Sequence, residues 1–124
     1  MPNKTNQNEL KVAEEIARFA TAVASDNLAS DILLLNVSNI TAFADYLIIL
    51  TVGSARQMSS LVDEFEISLK SRGIEKLRKE GTSGSGWVVI DFGDIVIHLF
   101  GKEEREYYAL ESIWSNSQEL VRIQ

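Results

Sequence analysis

Apolar residues recur at helical spacing in three parts of the chain. The spacing predicts a first helix over residues 9–26, and a second that begins after Ser54, a good N-cap residue, and stops at Gly73. A third helix is predicted over residues 104–118. The side chains expected to face the core are Val12, Ile16, Phe19 and Val23 in the first helix, Met58, Leu61, Val62, Phe65 and Leu69 in the second, and Tyr107, Leu110, Ile113 and Trp114 in the third.

Shorter apolar runs predict β-strands between these helices. Residues 30–37 form one run, and residues 45–52 form another that is apolar on both faces, as is typical of a central strand. Residues 75–80 are charged, which is expected of an edge strand because charge discourages pairing with another chain. The glycine- and serine-rich residues 81–86 predict a flexible turn.

Residues 86–100 predict a β-hairpin, because two β-rich runs flank Phe92-Gly93 and glycine accepts the positive φ of a tight turn. With Phe92 and Gly93 as the loop, Asp91 is expected opposite Asp94, and Trp87 opposite His98. Alternation along the strands then gives two unlike faces. One is wholly apolar and comprises Val88, Ile90, Ile95, Ile97 and Leu99; the other is mixed and comprises Trp87, Val89, Asp91, Asp94, Val96, His98 and Phe100.

This order of elements predicts an α/β fold with a mixed β-sheet of about five strands flanked by helices. The 124 residues suffice for one domain, which we place at residues 9–118. Residues 1–8 are polar and are expected to be a disordered lead-in, and residues 119–124 are expected to be a C-terminal tail. The longest apolar stretches are strand-sized, so no membrane span is expected.

Composition makes the chain acidic, with 18 acidic residues, 12 basic residues and a formal charge of −6. Because nucleic-acid affinity depends mainly on neutralising phosphates, little direct contact with RNA or DNA is expected. One basic stretch runs from Lys70 to Lys79, but no aromatic residue is interleaved for base stacking, which favours a solvated surface. A basic protein partner suits this charge better. The chain has no cysteine, which excludes disulfides and thiolate chemistry.

Most catalytic patterns fail when their context is considered. Asp91-Phe92-Gly93 matches the metal-binding triplet of protein kinases, but the chain is too short for a kinase and lacks its lysine and catalytic-loop motifs. The glycine cluster at residues 81–86 fits neither a dinucleotide fingerprint nor a Walker loop. His98 is the single histidine, so a zinc site would need three carboxylates around it. We therefore expect neither a metal nor a cofactor, and interpret His98 as a half-buried neighbour of Trp87.

One enzymatic alternative begins at residues 51–54, Thr-Val-Gly-Ser. A strand that ends in Gly-Ser and leads into a helix resembles the opening motif of nucleotidyltransferases, in which backbone amides hold a triphosphate. That chemistry also needs two carboxylates two residues apart on the next strand to bind divalent metal ions, and the chain has no such pair on a matching strand. The pattern favours a nucleotidyltransferase-like scaffold used for binding, with a nucleotide-binding or nucleotidyltransferase-like enzyme as the alternative.

Five segments then follow one pattern in order along the chain. They are Ala44-Asp45-Tyr46-Leu47-Ile48-Ile49, Gly53-Ser54-Ala55-Arg56-Gln57, Glu80-Gly81, the run from Trp87 to His98, and the run from Arg105 to Trp114. Their combination resembles the ribosomal silencing factor family, also called iojap-like proteins. The resemblance extends from the first predicted helix to Trp114, and the residues after Trp114 fall outside it.

This resemblance implies a non-enzymatic role in translation. Members of the family bind the large ribosomal subunit through its protein fourteen, on the face that meets the small subunit, and so hinder subunit joining and repress translation. They are also linked to large-subunit assembly, and they often form homodimers in a cytoplasmic or organellar setting. The positions that match the family's contact surface are Trp87, Asp91, Phe92, Gly93 and Asp94.

Physical arguments from the residues alone leave part of this contact surface open. Opposed carboxylates at Asp91 and Asp94 would repel by up to about 1 kcal/mol, which a basic partner would relieve. Phe92 at a hairpin tip has little room for burial, as is typical of an interface anchor. The residue type of Asp91 favours a structural role in which it accepts hydrogen bonds from turn amides. The residue type of Trp87 is equally compatible with the core and with a partner contact. The family resemblance favours a partner contact for both.

Other shared polar residues are expected to have structural roles. Asp45 is expected to act as a cap or to pair with Arg56, whose charge is unfavourable at a helix N-terminus. Glu80, and the pair Arg105 and Glu111, are expected to form similar buried polar links.

Overall fold

The computed structural model describes residues 7–124. Of the expected lead-in at residues 1–8, residues 1–6 lie outside the described residues, and residues 7 and 8 begin the first helix. The elements, in chain order, are α1 (Gln7–Asp26), β1 (Ser30–Asn36), β2 (Tyr46–Val52), α2 (Ala55–Lys70), β3 (Arg78–Thr82), β4 (Trp87–Asp91), β5 (Ile95–Gly101), α3 (Lys102–Tyr108) and β6 (Gln118–Ile123). Short 3₁₀ helices occupy Ser83–Ser85 and Leu110–Ser112.

The described strands form one mixed sheet in the order β3-β4-β5-β2-β1-β6. Neighbouring strands are antiparallel except β2 and β5, which are parallel. Every residue of β2 is buried, which confirms its predicted central position, and β3 is the predicted charged edge. The predicted fold class is confirmed, with six strands in place of about five.

Two helices cover one face of the sheet and enclose the larger core. In α2 the predicted inward residues are all buried, and the Ser54 side chain accepts a hydrogen bond of 3.0 Å from the Gln57 amide. The expectation for α1 was confirmed for Val23 and wrong for Val12, because the buried stripe comprises Val23 with the alanines at positions 13, 17, 20 and 24. Small side chains allow a helix to approach a sheet closely. Val12 is consequently 57% exposed, and Ile16 and Phe19 are only partly buried.

The hairpin forms with a register that differs from the predicted one. Asp91 lies opposite Val96 and Trp87 opposite Phe100, and the Phe92 amide donates to the Ile95 carbonyl at 2.9 Å. The loop therefore consists of Gly93 and Asp94. Gly93 takes φ +94°, a conformation that glycine adopts without steric cost. Because the register shifts by two residues, an even number, the two predicted faces keep their members on the strands.

The C-terminal part of the chain departs most from prediction. α3 ends at Tyr108, since Ala109 adopts a left-handed conformation (φ +45°). Tyr107 and Ile113 are exposed instead of inward, while Leu110 and Trp114 pack against the second face of the sheet. Residues 119–124, expected to be a tail, contribute to β6, which pairs with β1. Pairing with β6 gives hydrogen-bond partners to the backbone N–H and C=O groups at the outer edge of β1. The predicted helix over residues 104–118 would not have supplied these partners.

Candidate functional site

The sheet face opposite α1 and α2 is only partly covered. We call it the open face, and it comprises Trp87, Val89 and Asp91 of β4 with Val96, His98 and Phe100 of β5. On the same side of the sheet it adjoins a second, smaller cluster of buried residues, namely Leu33, Leu35, Val37, Leu47, Ile49 and Phe100. Leu110 and Trp114 cover part of this cluster, and Tyr108 at the end of α3 packs against Trp87 and Phe100.

Trp87 links the core of the open face to its surface. Its ring stacks on Phe100 at a centroid distance of 4.9 Å and lies 4.5 Å from the ring of Tyr108. Its Nε1–H donates a hydrogen bond of 3.1 Å to Nδ1 of His98. The indole is partly buried, so it both braces the strands and leaves part of its ring accessible.

His98 acts as the acceptor for Trp87, as its predicted half-buried position beside that residue allows. Burial lowers the pKa of His98 to about 4 from 6.5. The imidazole is therefore neutral near pH 7, and its Nδ1 lone pair can accept the indole proton. This bond fixes the orientation of both rings.

Asp91 has the turn role that its residue type favoured. Its Oδ1 accepts a hydrogen bond of 2.8 Å from the Gly93 amide, and its Oδ2 lies 3.6 Å from Nε of Arg78. The expected opposition of Asp91 and Asp94 was wrong, because the shifted register puts Val96 opposite Asp91. Asp94 is exposed in the turn, and its carbonyl accepts from the amides of Asp45 and Tyr46 at 2.9 and 3.0 Å.

Phe92 does not project from the tip of the hairpin. It is 6% exposed and belongs to the larger core, on the helix-covered side of the sheet. The shifted register puts Phe92 opposite Ile95. Both residues line one groove together with Ile74, which belongs to the segment after α2. The expectation that Phe92 has little room for burial was therefore wrong.

Phe43 is a residue of this surface to which the sequence assigned no role. It is 91% exposed in the loop between β1 and β2. With Val89, Asp91 and Val96 of the open face and Arg78 and Glu80 of β3, it lines a hollow of about 220 Å³. A large aromatic residue in an otherwise unpatterned loop was the available signal.

Among the expected structural polar links, the one between Arg105 and Glu111 is confirmed. The pairing of Asp45 with Arg56 and the buried link at Glu80 are wrong, and the role of Asp45 as a cap stays a prediction. Arg105 is 8% exposed, and it donates from Nε to Glu111 at 3.1 Å and from an Nη atom to the Asp31 carbonyl and Thr51 Oγ1 at 2.8 and 2.9 Å. Asp45 precedes β2 and Arg56 follows it, so a strand of about 23 Å separates the predicted pair. Glu80 is exposed on β3, where it lies opposite Val89.

The Gly-Ser motif at the end of β2 is engaged by the chain's own side chains. The Gly53 amide donates to Gln57 Oε1 at 2.7 Å, and Gln57 Nε2 donates to the carbonyls of Asn27 and Leu28. The amide that a nucleotidyltransferase would direct at phosphate thus already has an acceptor. In the described part of the chain, no group of three or more acidic or histidine side chains could hold a metal ion.

Comparison with known proteins places this sheet and hairpin in one family. The sequence model described as ribosomal silencing factor during starvation matches residues 10–124. The chain belongs to the ribosomal silencing factor family. The match to this family includes residues 115–124, which had been expected to fall outside the resemblance.

Relatives within the ribosomal silencing factor family match most of the chain. The ribosomal silencing factor of Bacillus subtilis is 36% identical over 104 residues, which cover 84% of this chain and 88% of the relative. A crystal structure of a Chromobacterium violaceum protein has a TM-score of 0.78 and 31% identity, and the match covers 82% of this chain and 85% of that one. The chloroplastic protein Iojap of Zea mays is 29% identical, with 83% of this chain and 46% of the relative covered.

Proposed function

We propose that this family member binds the large ribosomal subunit at protein fourteen through the open face, and that it represses translation by blocking the small subunit. Family membership is the observation that carries the proposal, because relatives matched over most of the chain are named ribosomal silencing factors. The mechanism is steric and requires neither a metal nor a cofactor. We place its action in the cytoplasm, and propose that copies associate as homodimers.

The open face suits a basic protein partner by its composition. Trp87, Val89 and Val96 are partly buried and offer apolar area beside the exposed ring of Phe43. The exposed carboxylates of Glu80 and Asp94 supply negative charge around them, while Asp91 is paired with Arg78. An aromatic and aliphatic centre with a charged border is the usual composition of an interface.

The geometry changes which residues of the hairpin we propose as contacts. Phe92 supports the turn from within, so Trp87, Asp91, Gly93 and Asp94 remain the proposed contacts and Phe43 joins them. The hydrogen bond that Asp91 accepts from the Gly93 amide and the one that Trp87 donates to His98 hold these groups in place before binding. A preformed surface loses less conformational entropy on association.

Co-sedimentation with purified large subunits tests this proposal. Wild type should pellet with large subunits and reduce their joining to small subunits. Phe43→Ser, which removes an exposed aromatic anchor, should weaken binding by about tenfold or more. Asp94→Lys, which reverses an exposed charge facing a basic partner, should also weaken binding.

The matched control is Ile67→Ser, because Ile67 is a 65% exposed apolar residue of α2 on the other side of the sheet. It should bind as wild type does. Circular dichroism would verify that all three variants are folded. Wild-type binding by both open-face variants would show that the interface lies elsewhere.

A further inference from the structure

A groove runs between α1 and the hairpin on the helix-covered side of the molecule. Its volume is about 560 Å³, within the range of pockets that enclose ligands. Its apolar lining comprises Val12, Ala13, Ile16, Ile74, Phe92 and Ile95. The groove exists because α1 turns its alanines to the sheet, which leaves the larger residues Val12 and Ile16 beside the hairpin and not over the core.

The walls of this groove are held in place by the fold. The hydroxyl of Tyr46 donates to the Leu10 carbonyl at 3.2 Å, which fixes the first turns of α1 to β2. Burial, together with the nearby charge of Glu14, raises the pKa of Tyr46 to about 12, so the donor stays protonated. On the opposite wall, the amides of Asp45 and Tyr46 bind the Asp94 carbonyl and fix the hairpin turn.

The charge of the lining indicates the chemistry of an occupant. The charged residues that line the groove in the described part of the chain are Glu9 and Asp94, and both are acidic and exposed. The chain as a whole carries −6. An apolar groove with an acidic border complements a helix that has leucine-like side chains on one face and lysine or arginine beside them.

We propose that this groove binds a basic amphipathic helix of a partner protein other than the one on the open face. Neighbouring residues of a strand point to opposite sides of the sheet, so Phe92 lines the groove while Asp91 lies on the open face. The two surfaces therefore meet only at the hairpin turn. Asp94 in that turn borders both surfaces, and the rest of each surface lies on its own side of the sheet.

Two capped model peptides of about 14 residues test the groove. One has leucine at positions i, i+3, i+4 and i+7 with lysine elsewhere, and the other has glutamate in place of lysine. Titration calorimetry and methyl NMR should show the lysine peptide binding, with shifts at Val12, Ile16, Ile74 and Ile95. The glutamate peptide should bind at least about tenfold more weakly.

Val12→Asn is the decisive variant, because Val12 is exposed and its replacement should not unfold the chain. It should weaken binding of the lysine peptide by about tenfold. The matched control is Ile67→Asn, at an exposed position of α2, and this variant should bind the peptide as wild type does. Val12→Asn should still co-sediment with large subunits, so failure of the groove and failure of the open face are distinguishable.

Four results would overturn the inference. They are the absence of peptide binding, equal binding of both peptides, equal effects of the two variants, and a doubled mass without peptide that Val12→Asn abolishes. The last result would assign the groove to a second copy of the chain.

Discussion

At the scale of single residues, Trp87 belongs to the core and to the surface at once. Stacking on Phe100 and a tilted contact with Tyr108 bury one part of the indole, and the bond to His98 satisfies its N–H without help from solvent. A buried donor without an acceptor would cost about 1–3 kcal/mol. His98 therefore supports the open face by a hydrogen bond that depends on its own protonation state.

Stability should depend on the protonation of His98. Its folded pKa of about 4 lies below the ordinary 6.5, so the unfolded chain binds the proton first as the pH falls. The stabilisation is fully present above pH 6.5 and should be lost between 6.5 and about 4, by up to about 3 kcal/mol.

Urea unfolding of wild type and His98→Gln over this pH range measures the effect. Glutamine can accept a hydrogen bond from the Trp87 N–H but does not titrate. The carboxylates are the same in both proteins, so their contributions cancel when the two free energies of unfolding are subtracted at each pH. A difference between the two proteins that stays constant with pH would contradict the assignment.

Arg105 should be the most costly charged side chain to remove. Arg105→Leu would leave the Thr51 hydroxyl and the Asp31 carbonyl without their donor and Glu111 without its partner, and should lower the free energy of unfolding by about 2–4 kcal/mol. Arg122→Leu should cost at most about 1 kcal/mol, because its pair with Glu119 is exposed. Equal costs in chemical denaturation would refute this ranking.

At the scale of elements, the hairpin and the C-terminal strand determine where the surfaces lie. The turn at Gly93 and Asp94 buries Phe92 and directs Asp91 to the open face. β6 extends the sheet beyond β1 and contributes the partly buried side chains of Leu120 and Val121 to the larger core. Both features follow from pairing between strands and not from local pattern.

Truncation after Ser117 should therefore destabilise the fold. It would remove β6 and expose the edge of β1, with an expected loss of about 3 kcal/mol or more from two partly buried aliphatic side chains and the strand pairing. Deletion of Gln124 alone is the control and should have little effect. Urea midpoints that agree between the truncated and full chains would mean that β6 does not contribute to stability.

At the scale of the whole molecule, the sheet separates two surfaces of different construction. The open face presents aromatic rings and a hydrogen-bonded turn, while the opposite side carries two helices and an acidic-bordered apolar groove. No helix within residues 7–124 is long and apolar enough to cross a membrane. Both surfaces reach the same hairpin turn, where the consecutive residues Asp91 and Phe92 belong to different surfaces.

The sequence by itself determined the features that depend on local periodicity. The stripe of α2, its cap at Ser54, the buried strand β2 and the charged edge β3 all follow from the spacing of residues close in sequence. The two faces of the hairpin were also predictable, because a register shift of two residues leaves the strand side chains on their predicted faces. The family resemblance likewise came from short ordered motifs.

Only the tertiary structure decided the burial of Phe92, the exposure of Val12, the separation of Asp45 from Arg56 and the strand at residues 118–123. Each depends on which surfaces meet in space. Alanines let α1 approach the sheet where larger residues would have held it away. The outer edge of β1 pairs with residues 118–123, whose own pattern suggested the end of a helix and a tail. Competition between distant segments for buried area and hydrogen bonds cannot be read from the spacing within any one of them.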